Sequence, residues 1–428
     1  MKLREGPDGP KPRAGPLAAL RHRNYRLYWL GQCVSVVGTW MQNLAQAWLV
    51  LELTNSPFLL GLVGAAQFAP ILLFSLLGGV IVDRVSKRRL VIATQSVMMF
   101  TALTLGLLTL TETVQYWHVL SLALVLGLAN AVDVPARQSF IVELAGREDL
   151  MNAIALHSSV FNGARVVGPA IAGLAIARYG LAACFLINAA SFLAVLAGLT
   201  LIRVDERPAP RSGRVWPQIA EGLGYVRATP AVFYPLALVA LISTFALNFN
   251  VLVPVFARTV LEQGAAGFGF LLTAHGVGAL AGGLFIAWVS WRGPQVGLLL
   301  GGAAGLCAAQ IALAPVHAYW AALVLLALAG WMMVVFASTA NTTVQLTVPD
   351  RLRGRVMSVY SMLFIGVTPF GNLMSGAIAR GWGAPAAFAV GAVLGLGSVG
   401  LLAHRTLAAA RAGAALGAPA PGAEGNAG

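Results

Sequence analysis

Long apolar stretches alternate with short polar segments along the whole 428-residue chain. An α-helix needs about 20 residues to cross a bilayer, and the stretches have this length. Twelve of them can be placed, near residues 26–52, 57–81, 89–110, 117–140, 153–177, 181–202, 231–256, 267–290, 295–314, 318–341, 354–379 and 385–404. The pattern predicts an all-α integral membrane protein with about twelve transmembrane helices, numbered here as spans 1 to 12.

The sequence also repeats itself at an interval of 203 or 204 residues, which is typical of a transporter built from two related halves. The repeated pairs are Gly79 and Gly283, Ser86 and Ser290, Arg88 and Arg292, Gly163 and Gly366, Gly168 and Gly371, and Gly173 and Gly376. We therefore expect two pseudo-symmetric six-helix bundles, over residues 26–203 and 231–405.

Three further segments complete the predicted organisation. Residues 1–25 form a basic arm on the cytoplasmic side, and residues 406–428, rich in Ala, Gly and Pro, form a disordered tail. Residues 204–230 link the halves. Their second part, 216–228, spaces apolar residues among polar ones, which indicates a short helix lying on the membrane surface.

Composition and charge placement agree with a membrane protein. Hydrophobic residues make up 58% of the chain and charged residues 10%, whereas soluble proteins carry about a quarter charged residues. Of the 28 Lys and Arg residues, all but Arg165, Arg178, Arg258 and Arg380 fall on one side of the predicted topology. This asymmetry predicts cytoplasmic termini, and it explains the net charge of +13 without nucleic-acid binding.

Catalytic and cofactor motifs are missing from the sequence. None of the three lysines, Lys2, Lys11 and Lys87, follows a glycine-rich phosphate loop, and no HExxH, GxSxG or paired CxxC pattern occurs. Cys33, Cys184 and Cys307 lie far apart within spans and are interpreted as packing residues. We expect no enzyme activity, no cofactor and no metal site.

A charged turn separates spans 2 and 3, with the sequence Gly79-Val-Ile-Val-Asp83-Arg84-Val-Ser86-Lys87-Arg88-Arg89. Its spacing resembles the signature loop between helices 2 and 3 of the major facilitator superfamily, although Ser86 stands where that family usually has glycine. Three more segments resemble the branch that includes the enterobactin exporter and macrolide efflux proteins. These are Asn24-Tyr-Arg-Leu-Tyr-Trp-Leu-Gly-Gln, Asp133-Val-Pro135-Ala-Arg137 and Arg353-Gly-Arg355.

The resemblance implies the major facilitator fold and a secondary transporter with alternating access. It also implies that the acidic residue of the charged turn contacts the start of helix 11. We therefore expect Asp83 and either Arg355 or Arg353 to close the cytoplasmic side in one conformation; the alternative is a solvated loop whose charges only fix topology. The predicted gate consists of Gly79, Asp83, Arg84, Lys87, Arg88, Arg89, Arg353 and Arg355.

Charged groups within spans are expensive in a bilayer, so each needs a partner. Arg165 lies near the middle of span 5, and Asp133 lies in span 4. Asp133 can pair with Arg165 or, one helical turn along, with Arg137. Asp133 and His275 of span 8 are the candidates for proton coupling. Two flanking arginines argue against Asp133, and a hydrogen bond to a neighbouring helix is the alternative role of His275.

In this superfamily helices 1, 4, 7 and 10 line the central cavity, which directs attention to their amides. These are Gln42, Asn43, Gln46, Asn130, Asn248, Asn250, Asn341 and Gln345. Aromatic residues lie among them, and such a surface suits a bulky amphipathic compound. The alternative for each amide is a hydrogen bond between helices. Gly168, Pro169 and Gly173 of span 5 resemble the glycine-proline motif of antiporting exporters, and they allow close helix packing and a kink.

These observations predict proton-coupled efflux of an amphipathic drug-like or siderophore-like molecule by a monomer in the plasma (inner) membrane. Its partners are then the small-molecule substrate, protons and membrane lipids. Uptake or lipid transport by the same architecture is one alternative. A membrane receptor or scaffold that does not transport is another.

Overall fold

The computed structural model describes residues 15–146, 148–203, 215–293 and 295–417, with the side chains of 75–80, 83–84, 215–219, 292 and 410–417 outside the description. Its α-helices are α1 Arg23–Thr54, α2 Pro57–Arg84, α3 Lys87–Leu110, α4 Tyr116–Ala145, α5 Leu150–Tyr179, α6 Leu181–Leu201, α7 Val215–Ala228, α8 Pro230–Phe245, α9 Phe249–Thr259, α10 Ala265–Val289, α11 Val296–Leu313, α12 Tyr319–Thr347, α13 Asp350–Phe364 and α14 Thr368–Gly417. Two short 3₁₀ helices, Ala18–Arg21 and Ser290–Arg292, complete the regular structure of the described residues.

The helices confirm the predicted fold class. Ten segments of the described chain are long and apolar enough to cross a membrane, and α1, 32 residues long but richer in polar residues, adds one more. The last segment, residues 350–409, holds two crossings because the backbone turns at Gly383, where φ is 82°. Spans 1 to 6 correspond to α1 to α6, and the second half follows the same order.

Two spans of the second half are broken. Span 7 consists of α8 and α9, and span 11 consists of α13 and the first part of α14. A break within a membrane leaves backbone groups without helical partners, which must be satisfied inside the protein. In span 7 the Gln310 side chain donates a hydrogen bond to the Ala246 carbonyl oxygen, at 2.5 Å. Hydropathy predicts both spans but not their breaks.

Local capping explains where the helices begin and end. Ser56 caps α2, which has Pro57 at its first position, by accepting from the Leu59 N–H. Ser86 caps α3 in the same way, since its hydroxyl accepts from the Arg89 N–H at 3.2 Å. The serine that departs from the family pattern therefore begins a helix. Gly146 and Gly180, both with positive φ, follow the ends of α4 and α5.

Helix packing repeats between the halves, as the sequence repeat predicts. In the first half α2 packs against α4 and α3 against α6; in the second half α10 packs against α12 and α11 against α14. Across the halves, α5 contacts α10, and α2 contacts α14. The two bundles are thus joined along two lines of contact related by the pseudo-symmetry.

The glycines of the repeat have matching positions in this packing. Gly168 and Gly371 pack within their own halves, where an added Cβ would contact Trp40 of span 1 or Asn248 of span 7. Gly173 and Gly376 pack across the halves: added Cβ atoms would lie 3.1 Å from the Ala266 backbone and 2.7 Å from the Pro57 carbonyl oxygen. The repeated glycines therefore let backbones approach at the equivalent sites of both halves.

The halves are closed on one side of the membrane domain. We call the side that holds Arg23 and Leu201, which hydrogen-bond to each other, the terminal side, and the opposite one the distal side. Contacts across the halves at Gly173 and Gly376 lie toward the distal side. Span 11 contacts α2 through its distal part, α14, whereas its terminal part, α13, packs on α7, α8 and α12.

The ends of the chain differ in part from the prediction. Helix α14 continues through Gly417, so residues 406–417 are helical where a disordered tail was expected, and residues 418–428 lie outside the described part. Residues 15–22 of the predicted arm pack on the first half, because the Ala19 N–H donates to Asn152 Oδ1 at 2.9 Å. The short helix predicted in the linker is α7, and residues 204–214 lie outside the described part.

Candidate functional site

A cavity of about 350 Å³ opens between the two halves. Span 5 supplies one wall, and spans 8, 10 and 11 of the second half supply the others. Its apolar wall residues are Ala279, Leu280, Leu284, Met333, Val334, Ala337 and Phe364, and its polar ones are Asn162, Arg165 and Ser338. It therefore offers one cationic group and two neutral polar groups on a largely apolar surface.

Arg165 lies at the middle of the 30-residue α5 and reaches across to the second half. Its guanidinium contacts His275 Nδ1 at 3.3 Å and Met333 Sδ at 3.6 Å. The His275 ring packs on Phe249, with 4.4 Å between ring centroids, and its Nε2 is buried without a hydrogen-bond partner among the described residues. Arg165 and His275, predicted as separate intramembrane groups, thus form one contact between the halves.

Asp133 forms a separate polar cluster within the first half. Its carboxylate is fully buried and accepts from Thr94 Oγ1 at 2.7 Å and from Gln95 Nε2 at 3.1 Å. Arg137 Nε lies 2.6 Å from Asp133 Oδ2, as an ion pair between successive turns of α4. Of the two partners that the sequence allowed, Asp133 has Arg137. The contact with Arg165 is absent from the described ion pairs, because Asp133 faces α3 while Arg165 faces the second half.

The predicted cavity amides divide into two groups. Gln42 accepts from Asn188 Nδ2 at 2.6 Å, and Gln345 donates to Asn341 Oδ1 at 2.6 Å. Asn130 and Asn248 donate to carbonyl oxygens of their own spans, on Leu126 and Thr244. The other three, Asn43, Gln46 and Asn250, line a second and smaller cavity.

This smaller cavity, of about 70 Å³, lies on the distal side between spans 1, 2, 7, 8 and 11. Gln67 and Asn372 join the three predicted amides in its wall, and Gln46 donates to Gln67 Oε1 at 3.2 Å. Asn372 is buried and packs on Gly61 and Gly64 of α2. Asn43, Gln46 and Asn250 therefore lie where the halves meet and not in the larger cavity.

Lys87 and Arg88 of the predicted gate have local side-chain partners on the terminal side. Lys87 pairs with Glu143, and Arg88 donates to the carbonyl oxygens of Leu199 and Thr200 at the end of α6, at 2.7 and 2.9 Å. Arg89 supplies the N–H that Ser86 caps. These contacts join α3 to α4 and α6 within the first half.

At the start of span 11, Arg353 pairs with Asp350 at 2.6 Å, and Arg355 pairs with Glu221 of α7. Arg351 also pairs with Glu221, at 3.0 Å. The side chains of Asp83 and Arg84, and the surroundings of Gly79, lie outside the described part of the structure. The predicted pairing of Asp83 with Arg353 or Arg355 therefore stays a prediction, and Glu221 is the partner that sequence reasoning missed.

Comparisons with known proteins agree with this architecture. The sequence profile of a family described as transmembrane secretion effectors matches residues 14–418. The chain belongs to this family. It is a multi-pass membrane transporter of the major facilitator superfamily and not an enzyme.

Similar proteins include two curated transporters. The chain is 29% identical to the multidrug efflux pump Tap of Mycolicibacterium fortuitum, over 82% of this chain and 88% of the relative. It is 28% identical to the enterobactin exporter EntS of Shigella boydii, over 89% and 91%. A crystal structure of a bacterial homologue of the human lysosomal transporter Spinster, inward-facing and unoccupied, has a TM-score of 0.69 at 14% identity, over 94% and 98% of the two chains. At 14% identity, the similarity to this structure shows the fold alone.

In the transporter, the span 5 motif lies at the contact of the halves. Gly168 packs on Trp40 of span 1 within the first half, whereas the Pro169 carbonyl oxygen lies 2.6 Å from the position that a Cβ of Gly269, in span 8, would take. The close approach of spans 5 and 8 continues at Arg165, whose carbonyl oxygen lies 2.9 Å from the position that a Cβ of Gly276 would take. The sequence indicated close packing here but not which helices are its partners.

Proposed function

We propose that the transporter exports an amphipathic drug-like or siderophore-like molecule by alternating access, driven by the proton motive force. The names of its relatives support export, since one is a multidrug efflux pump and another an enterobactin exporter. The observation that carries the proposal is the cavity of about 350 Å³ between halves that are joined on the distal side. A substrate would enter this cavity from the terminal side and leave on the distal side when the halves rock.

Export also requires that the terminal side faces the cytoplasm. Arg178, Arg258 and Arg380 lie near the distal ends of α5, α9 and span 11, whereas the basic residues of the turns lie on the terminal side. The positive-inside rule then supports cytoplasmic termini in the plasma (inner) membrane of a bacterial cell. We propose a monomer as the working unit, with membrane lipids around it, because each chain supplies both halves of the cavity.

For proton coupling we propose His275 and not Asp133. The Asp133 carboxylate is held by Arg137, Thr94 and Gln95, and a proton on it would remove the charge with which Arg137 pairs. His275 lies at the contact of the halves against Arg165. A proton on its imidazole would place two positive charges within 4 Å and weaken this contact, which favours separation of the halves.

The predicted gate would form in the conformation that is closed on the terminal side. In the present one, Glu221 holds Arg355, and α13 packs on the second half and α7. We propose that Asp83 reaches the start of α13 when the terminal side closes. It would then pair with Arg355, which Glu221 holds at present, or with Arg353, which Asp350 holds. A carboxylate near a helix N-terminus gains about 0.3–1 kcal/mol from the helix dipole alone.

Everted membrane vesicles test the proposed function. Vesicles that contain the full chain and an acidic lumen are monitored with a pH-sensitive dye while siderophores, macrolides and hydrophobic cations are added in turn. We expect one class to accumulate in the lumen and to release protons from it. Accumulation in right-side-out vesicles would instead show uptake, and no flux of any class by folded protein would contradict the proposal.

A pair of histidine variants locates the proton step. His275→Gln should still bind substrate but lose substrate-dependent proton release. His317→Gln is the matched control, because His317 is exposed in the turn between α11 and α12. Equal proton release by His275→Gln and the unaltered chain would remove His275 from the mechanism.

A further inference from the structure

Arg165 is a cation of the membrane domain with no counter-ion among the described side chains. Among the side chains that the structure describes, no carboxylate lies within ion-pair distance of it. Asp83, whose side chain is not described, lies at the terminal end of α2, whereas Arg165 is at the middle of α5. The contacts of its guanidinium, His275 Nδ1 and Met333 Sδ, are uncharged or weak acceptors.

An unpaired arginine at this depth is costly, so its position demands a reason. Arg137, the other arginine in a neighbouring span, has Asp133 as its ion-pair partner. Arg165 has a cavity of about 350 Å³ in the place where such a partner would be. Guanidinium groups bind carboxylates and similar anions through two parallel hydrogen bonds, and they do so best when water is excluded.

We propose that the transported substrate is an amphipathic anion and that Arg165 binds its carboxylate or an equivalent anionic group. This inference rests on the proposed transport function and specifies the class of substrate. The anionic group lies against Arg165, and Asn162 and Ser338 are polar neighbours within the same walls. The apolar body lies against Leu280, Val334 and Phe364.

The positive charge of Arg165 also disfavours cationic amphipathic substrates. A cationic amphipath would meet a fixed positive charge in the cavity with no described carboxylate to offset it, and the two like charges would repel each other. An anion reverses the sign of this interaction. The relatives include both a drug pump and a siderophore exporter, and the cavity of this chain favours substrates with acidic groups.

Arg165 also links binding to the movement of the halves. Its backbone belongs to the first half, and its present contacts, His275 and Met333, belong to the second. A bound carboxylate would compete with His275 for the guanidinium hydrogen bonds. Substrate binding would then replace a contact between the halves with a contact to the substrate.

Three probes with one apolar body test the proposal: 1-naphthylacetate, its neutral amide, and 1-naphthylmethylammonium. Binding to the full chain in nanodiscs of phosphatidylcholine is measured by calorimetry. We expect the carboxylate to bind about tenfold or more tighter than the amide, and the ammonium to bind most weakly. Equal binding of the three probes, or no binding of the carboxylate, would overturn the proposal.

Variants of α5 assign the preference to one residue. Arg165→Gln should weaken carboxylate binding about 10- to 100-fold and leave amide binding within about twofold. Arg165→Lys should keep part of the preference, because the charge remains without the planar fork. The matched control is Arg178→Gln, which removes one positive charge from the exposed distal end of the same helix. An equal loss for all probes in Arg165→Gln would show a packing role and contradict the proposal.

Competition separates the sources of the anion. Inorganic phosphate at millimolar concentration, or phosphatidylglycerol added to the nanodisc, should leave naphthylacetate binding within about twofold; displacement by either would make the site one for simple anions or lipid headgroups. Vesicle transport separates this inference from the proposed function. Export of a hydrophobic cation that is unaffected by Arg165→Gln would overturn the anion proposal while export itself stands.

Discussion

At the scale of single residues, the two intramembrane arginines illustrate opposite solutions to one problem. Arg137 and Asp133 are neighbours on α4, and the carboxylate is further held by Thr94 and Gln95 of α3. Arg165 instead contacts His275 across the halves. The first cluster is closed within one half and has the features of a structural element, while the second belongs to the surface that must change during transport.

Loss of the Asp133 carboxylate should destabilise the first half. In Asp133→Asn, the Arg137 guanidinium loses its counter-ion in a poorly hydrated site, and breaking a buried pair in this way costs about 3–5 kcal/mol. We expect a clearly lower midpoint of thermal unfolding in detergent. Arg137→Gln combined with Asp133→Asn should unfold at a higher temperature than Asp133→Asn alone, because no uncompensated charge remains.

The control for these Asp133 and Arg137 variants is Glu143→Gln. It removes a carboxylate from the partly exposed pair with Lys87 on the terminal side. Such a pair contributes about 1 kcal/mol or less. If Asp133→Asn unfolds like this control yet loses substrate-dependent proton release, Asp133 is a proton site and the structural interpretation is wrong.

At the scale of helices, α7 is connected to the second half more closely than a linker need be. Glu221 accepts from both Arg351 and Arg355 of α13, and an added Cβ at Gly222 would lie 3.1 Å from Arg355 Cβ. Side chain and backbone thus hold α7 against the start of span 11. We infer that α7 moves with the second half and that its contact occupies an arginine of the predicted gate.

Removal of the Glu221 charge should release α7 without unfolding the membrane domain. In Glu221→Gln we expect faster amide hydrogen exchange over residues 220–228 and over the first turn of α13, with a change of less than about 1 kcal/mol in global stability because the pairs are partly exposed. Hydrogen exchange with mass spectrometry measures this. Glu148→Gln, an exposed carboxylate elsewhere on the terminal side, should leave both segments unchanged; unaltered exchange in Glu221→Gln would show that packing at Gly222 suffices.

The sequence predicted helices well and their partners poorly, for a physical reason. Hydropathy determines where a segment can cross a bilayer, so all twelve spans could be placed from the apolar stretches of the sequence. Which face of a helix meets which neighbour depends on packing of the assembled bundle. Thus the sequence allows Asp133 to pair with either Arg165 or Arg137, and only the packed bundle shows that Arg165 faces span 8. Glu221 has no motif that would identify it. At the span 7 break, the Ala246 carbonyl oxygen accepts from Gln310, 64 residues away along the chain.

At the scale of the whole molecule, the repeated glycines indicate where the two halves would separate during transport. Gly173 and Gly376 occupy equivalent positions in the contacts of span 5 with span 8 and of span 11 with span 2. Both contacts lie toward the distal side and have the same construction, so opening by a rigid rotation of one half would separate both together. Alternating access then needs no change within either bundle beyond the side chains that meet at the interface.

A cross-link across the distal contact should therefore stop transport while leaving the cavity accessible from the terminal side. A Cβ built at Gly64 would lie 3.7 Å from Asn372 Cβ, within the range of about 3.5–4.5 Å that disulfides adopt. In Gly64→Cys combined with Asn372→Cys, mild oxidation should abolish vesicle transport and a reductant should restore it, whereas substrate binding from the terminal side should persist. Each single cysteine variant is a control, because Cys33, Cys184 and Cys307 are free thiols that are also present there. Transport that continues with the disulfide formed would mean that the distal contact does not open, and alternating access by rocking of the halves would have to be abandoned for this chain.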